Sequence, residues 1–175
     1  MAELILRPDE VVDQGAWSLE GGSLIDALSD ESDSTTVYNT NGNQSMTLSM
    51  TDIPEESEGE TFTSLTVTIR AKVSGKGAAS TNVRVINGEE TISLSTHTIS
   101  SSGITAYTSL NSSIDGMSLE TLNGLIFYMI GLDNTQAFYS EVFFTLTYDE
   151  APVIIIPPIK LMSGRIQLTS GKISI

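Results

Sequence analysis

The chain has 175 residues, no cysteine, and 22 acidic against 8 basic side chains, for a formal charge of −14. That length suits one domain with a sizeable core, the missing thiols exclude disulfides and thiolate metal sites, and the acidity repels phosphate, so no nucleic-acid partner is expected. No apolar run reaches the ~20 residues a membrane span needs, and the opening MAELILRPDE lacks the basic region of a signal peptide, so synthesis in the cytoplasm without an export address and no membrane partner are expected.

Leu4–Leu6 reads as a short strand, followed by a turn at Arg7-Pro8-Asp9 and a second short segment around Trp17. Gly21-Gly22 breaks the chain. Leu24, Ile25 and Leu28 suit one helical turn or an apolar anchor. The acidic stretch 26–33 offers several carboxylates, but its spacing is not that of a calcium loop, and a solvated turn is the expectation. Thr35–Asn39 reads as a strand, and Met46, Leu48 and Met50 alternate with polar residues in the next one. After an acidic loop over 52–61 comes the cleanest alternation: Leu65, Val67, Ile69, Ala71 and Val73 on one face, Thr66, Thr68, Arg70, Lys72 and Ser74 on the other. Val83–Ile86 is the return strand, and Asn87-Gly88 is a hairpin signal. A strand follows from Ile92 to Ile99, and Thr105–Leu110 is a short one. Ser118 and Gly124 bracket one or two helical turns as N-cap and terminator.

Leu125–Leu132 is apolar at every position but its Tyr and Gly. That predicts a central strand covered above and below. A polar loop over 133–136 leads to Val142–Tyr148, where Val142, Phe144, Leu146 and Tyr148 face inward and Phe143, Thr145 and Thr147 outward. Eight to ten short strands at hairpin spacing predict an all-β protein, an antiparallel β-sandwich of jelly-roll type, over residues 1–150.

Residues 151–175 differ. They carry Lys160, Arg165 and Lys172 and no acid, a charge of +3 against 5 − 22 = −17 for residues 1–150. Pro152, Pro157 and Pro158 bar this segment from the sheet interior. Ser163-Gly164-Arg165-Ile166-Gln167-Leu168 is then echoed by Ser170-Gly171-Lys172-Ile173-Ser174-Ile175. Each copy reads as a short strand suited to a sheet edge. Burying a large apolar side chain contributes ~1.5–3 kcal/mol, so a segment this apolar is expected to dock. It is predicted to be an extended C-terminal assembly arm, with Ile154, Ile155, Ile156, Ile159, Leu161, Arg165, Ile166, Leu168, Lys172 and Ile173 at a protein interface. The acidic body of a neighbouring copy or an acidic shell protein is the expected partner, giving a homo-oligomer, a trimer above all, or a shell contact; packing on its own body is the alternative.

Catalytic signals are thin. His97 is the single histidine and sits mid-strand between threonines, where an outward structural role is expected. The chain has no nucleophile elbow, phosphate loop or zinc spacing, and no carboxylate pair stands out for glycoside chemistry. No catalytic, cofactor-binding or metal residue is assigned, no cofactor is expected, and the chain reads as a non-enzyme. Trp17, Tyr107, Tyr128 and Tyr139 are candidates for an aromatic platform under a sugar ring, against the commoner role of packing.

Leu6-Arg-Pro-Asp9 with Trp17 beyond it, the 27–38 stretch, the Leu65–Val73 strand with its basic outer face, and Leu122-Asn-Gly124-Leu125 leading to Thr147-Tyr148-Asp149 together resemble a β-sandwich domain of tailed-bacteriophage virion proteins. The resemblance covers residues 4–149, and the tail is similar to the terminal arms of capsid decoration and cement proteins. It implies a structural, viral protein on the capsid surface, often trimeric, stabilising the shell by contact with the major capsid protein. A carbohydrate-binding module on a phage tail or fibre is the alternative.

Overall fold

A computed structural model describes residues 1–39, 43–57, 59–75, 77–109, 111–132 and 135–149. The predicted arm and its interface residues lie outside the described residues, as does part of the 133–136 loop.

Among the described residues, twelve strands form two antiparallel sheets. They are β1 (Ala2–Leu6), β2 (Pro8–Asp13), β3 (Ser18–Glu20), β4 (Thr36–Tyr38), β5 (Ser45–Met50), β6 (Thr61–Val73), β7 (Ala79–Asn87), β8 (Glu90–Ile99), β9 (Thr105–Thr108), β10 (Ser112–Ser113), β11 (Ile126–Gly131) and β12 (Ala137–Asp149). The first sheet runs β10-β6-β12-β4-β3, with β1 also on β12 and β9 also on β6; the second runs β2-β5-β11-β7-β8. Two short α-helices, α1 (Leu24–Ser29) and α2 (Leu119–Asn123), and one 3-10 turn (Glu55–Ser57) close loops among the described residues. The all-β sandwich read from the alternation is therefore present.

The core lies between the sheets because each strand sends every second side chain inward. In β6, Leu65, Val67, Ile69, Ala71 and Val73 are buried; in β12, Val142, Phe144 and Leu146 meet them. Phe127 of β11 packs on Phe144 across the sandwich, with ring centroids 6.4 Å apart. Trp17 reaches Tyr139 edge-on at 5.3 Å, and the Tyr139 hydroxyl shares a short hydrogen bond with Thr81 Oγ1. α1 is fixed by a capping box. Ser23 Oγ accepts from Asp26 N and the Asp26 carboxylate from Ser23 N, while Leu24, Ala27 and Leu28 plug the sandwich.

Three expectations shift. The Asn87-Gly88 hairpin turns one residue later: Asn87 pairs with Glu90, so the two turn residues are Gly88 and Glu89. Gly88 alone takes the left-handed conformation, at φ +58°, as a turn with glycine in its first central position requires. β11 is central, as expected, but among the described residues packing covers only one of its faces. Leu125, Phe127 and Met129 are buried, whereas Ile126, Tyr128 and Ile130 lie half-buried on the outer face of the second sheet. His97 points to the inner side of β8, the row of Ser93 and Ile99, rather than outward.

Candidate functional site in a cleft on the first sheet

The outer face of the first sheet carries an ion-pair array that begins at a β-bulge. Pairing of β12 with β6 slips between Tyr139 and Glu141, so Tyr139 opposes Ala71, Glu141 opposes Arg70, and Ser140 is the extra residue. A bulge changes which way the following side chains point. Here it lets Tyr139 and Val142, three apart, both face the core while Glu141 faces outward beside Arg70.

Glu141 is a carboxylate with only 6% of its side chain exposed. Burying such a charge is costly unless it is paired. Arg7, the residue between β1 and β2, donates a short hydrogen bond to Glu141 Oε1, and Arg70 Nη1 lies 3.7 Å from Oε2. Each arginine then holds a second acid from the loop after α1. Arg7 Nη2 donates to Glu31 Oε1 at 2.8 Å, and Arg70 Nη2 to Asp33 Oδ2 at 2.8 Å. Ser140 Oγ donates to Asp33 Oδ1 at 3.0 Å, so the bulge residue closes the array. Two arginines and three carboxylates give 2 − 3 = −1. Beside them lies Phe143, half-buried, with the Arg7 guanidinium 5.5 Å from its ring centre. Arg7, Glu31, Arg70, Ala106, Glu141 and Phe143 line an open cleft of about 390 Å³.

The structure distributes the sequence candidates unevenly. Trp17 and Tyr139 are buried in the core and offer no platform. Tyr128 is half-buried on the opposite sheet, with Arg84 over its ring at 5.6 Å. Tyr107 lies near His97 at the sandwich edge, ring centroids 6.3 Å apart. There Leu94–His97, Thr108 and Ser109 border a second groove of about 280 Å³. The carboxylates of the 26–33 stretch serve separate partners: Asp26 caps α1, Asp30 accepts from Ser32 N and Thr35 Oγ1, Glu31 meets Arg7 and Asp33 meets Arg70. Sequence reasoning missed Arg7, Arg70, Glu141 and Phe143 as a set. Its one signal was a change of parity, with Tyr139 inward at an odd position and Val142, Phe144 and Leu146 inward at even ones.

No protein-family model matches the chain, and no curated protein matches it. Among solved structures, it is similar to the C-terminal CBM6 module of LamC, a marine laminarinase from Zobellia galactanivorans (TM-score 0.49, 10% identity, covering 83% of this chain and 99% of that one). It is likewise similar to the CBM36-1 domain of a multidomain xylanase from the hindgut metagenome of Trinervitermes trinervoides (TM-score 0.48, 12% identity, 86% and 100%). A third is the carbohydrate-binding module CBM6cm-2 of Cellvibrio mixtus lichenase 5A in complex with cellotriose (TM-score 0.48, 11% identity, 84% and 98%).

These findings correct the expectation of a bacteriophage capsid decoration or cement protein. The three similar structures named are carbohydrate-binding modules, and no link to a virion is shown. The reason is visible in the residues that suggested the phage family. The Leu65–Val73 alternation and the 119–149 run are β6, α2, β11 and β12, elements any antiparallel sandwich needs. They specify the sheets and carry no information about a shell partner.

Proposed function

We propose that the chain is a non-catalytic carbohydrate-binding module whose ligand lies in the cleft on the first sheet. The observation that carries this reading is the half-buried Phe143 ring set beside a fixed guanidinium–carboxylate array. A sugar ring presents an apolar C–H face and a rim of hydroxyls. An aromatic ring suits the first, and ionised groups that both donate and accept suit the second. Arg7 and Arg70 supply donors; Glu31, Glu141 and Asp33 supply acceptors. Their net charge of −1 favours a neutral glycan over an acidic one. Because each side chain is held by a partner, little rotamer freedom remains to be lost on binding.

A binding role fits this arrangement better than hydrolysis. A glycosidase sets two carboxyl groups across the scissile bond, one to protonate the leaving oxygen. In this cleft Glu31 and Glu141 are joined through Arg7, and both oxygens of Glu141 face a guanidinium.

The test is binding to a glycan array and to soluble β-glucans and xylans. Saturable binding to a neutral polysaccharide is expected, and Phe143→Ala is expected to weaken it at least tenfold, or about 1.4 kcal/mol. Tyr128→Ala, on the other sheet, should leave it unchanged. Retention of full affinity by Phe143→Ala, or binding to no glycan at all, rejects the site.

A further inference from the structure

The second sheet has an apolar outer face that nothing among the described residues covers. Ile126, Tyr128 and Ile130 project from β11 along one line, Ile86 stands opposite Ile126 on β7, and Leu94 of β8 is 59% exposed beside Arg84. Thr47 and Ser49 border the strip on β5. A strand apolar on both faces belongs under a second layer, and here no described residue supplies it on one side. Arg84 marks the same gap: its Nε is buried and makes no hydrogen bond among the described residues. A buried donor without an acceptor indicates incomplete packing.

We propose that this face is the docking site of the chain's own C-terminal segment, residues 151–175, packing on the body from which it emerges. Chemistry, charge and reach agree. The segment holds eleven large apolar residues that water would otherwise meet, and its Arg165-Ile-Gln-Leu and Lys172-Ile-Ser-Ile units alternate as a strand laid on a sheet would. It carries +3 and no acid. The strip is flanked by Asp9 and Glu10 on β2 and by Glu89 and Glu90 at the β7–β8 turn, all exposed. β12 ends at Asp149, paired with Thr61 at the start of β6. That end of the sandwich is also the Ile126 end of β11, because β11 runs towards the loop that leads into Ala137. Sheets pack ~10 Å apart, and 25 extended residues span roughly 80 Å. The segment therefore rounds the end of the sandwich with length to spare. At that reach, docking on its own body outcompetes docking on a neighbour at ordinary concentrations.

Two measurements on the full chain test this. Tyr38 and Tyr128 are both half-buried and face outward from opposite sheets. Hydroxyl-radical footprinting should modify Tyr128 severalfold less than Tyr38. Equal modification, or greater protection of Tyr38, overturns the proposal. In the second, Leu94→Cys provides the single thiol, since the chain has no other cysteine. Its maleimide labelling should be slow and independent of protein concentration, and should rise severalfold when Ile166→Asp and Ile173→Asp are added. A rate unchanged by those substitutions overturns the docking. Protection lost on dilution assigns the face to a second copy's segment instead and overturns it equally.

Discussion

His97 shows how one side chain responds to its place in the sandwich. It belongs to the inner row of β8 at the sandwich edge, close to Tyr107. Its Nε2 is buried and makes no hydrogen bond among the described residues. Burial without a partner penalises the charged imidazolium, so its pKa is lowered from 6.5. The unfolded chain therefore takes up this proton more readily than the folded one. Stability is complete above the unfolded value of 6.5 and falls as pH drops from there through the lowered folded pKa. An NMR titration of the imidazole is expected to give a midpoint below 6.5, and His97→Gln should flatten the stability profile across that window. A midpoint at or above 6.5 removes the desolvation argument. The sequence, with threonines on both sides, supplied the strand but not the face. β8 is an edge strand whose two faces differ little in polarity, and period alone does not orient such a strand.

At the level of elements, the strands that can be read from sequence are those with one strongly apolar face. β5, β6 and the second half of β12 alternate cleanly and were legible from residue types. The second helical turn was legible from Ser118 as its cap, whereas the first was legible only as a turn or apolar anchor at Leu24, Ile25 and Leu28, and its Ser23 cap emerged from the structure. β10 has two serines and no pattern, and it exists because Leu65 and Ser64 on β6 offer it an edge. The candidate cleft was illegible for a different reason. Its residues come from positions 7, 31, 33, 70, 141 and 143, and only sheet pairing brings them together. The bulge at Ser140 gives this account a test. Removing Ser140 leaves Tyr139 inward, Glu141 outward and Val142 inward in plain alternation, so the sandwich should still form. It also removes the donor to Asp33 and the local twist that aims the array. The deletion variant is expected to keep a β-rich far-ultraviolet circular dichroism spectrum and a cooperative melt while losing glycan affinity. Unchanged affinity would show that the bulge does not shape the cleft.

For the whole molecule, the question is which electrostatic effect dominates. The chain carries −14, and most of its acids are exposed in loops and on strand faces. Their mutual repulsion opposes the compact state. Against it stand the pairs at Arg7 and Arg70, whose attraction salt would weaken. The two effects respond differently to ionic strength. Repulsion among exposed acids acts over distances comparable to the Debye length, ~10 Å at 0.1 M, and is screened readily. The Glu141 pairs are short-range and partly buried, with 6% exposure at the carboxylate and 24% at Arg7, so salt reaches them less. The outer pairs to Glu31 and Asp33 are exposed and contribute only ~0–1 kcal/mol each. Screening should therefore relieve more repulsion than it removes attraction. Thermal melts in increasing sodium chloride, at a pH above the titration of His97, are expected to show a rising midpoint that levels off near physiological ionic strength. A midpoint that falls with added salt would mean that the Arg7–Glu141–Arg70 array outweighs the surplus of negative charge. In that case Glu141→Gln should abolish the fall.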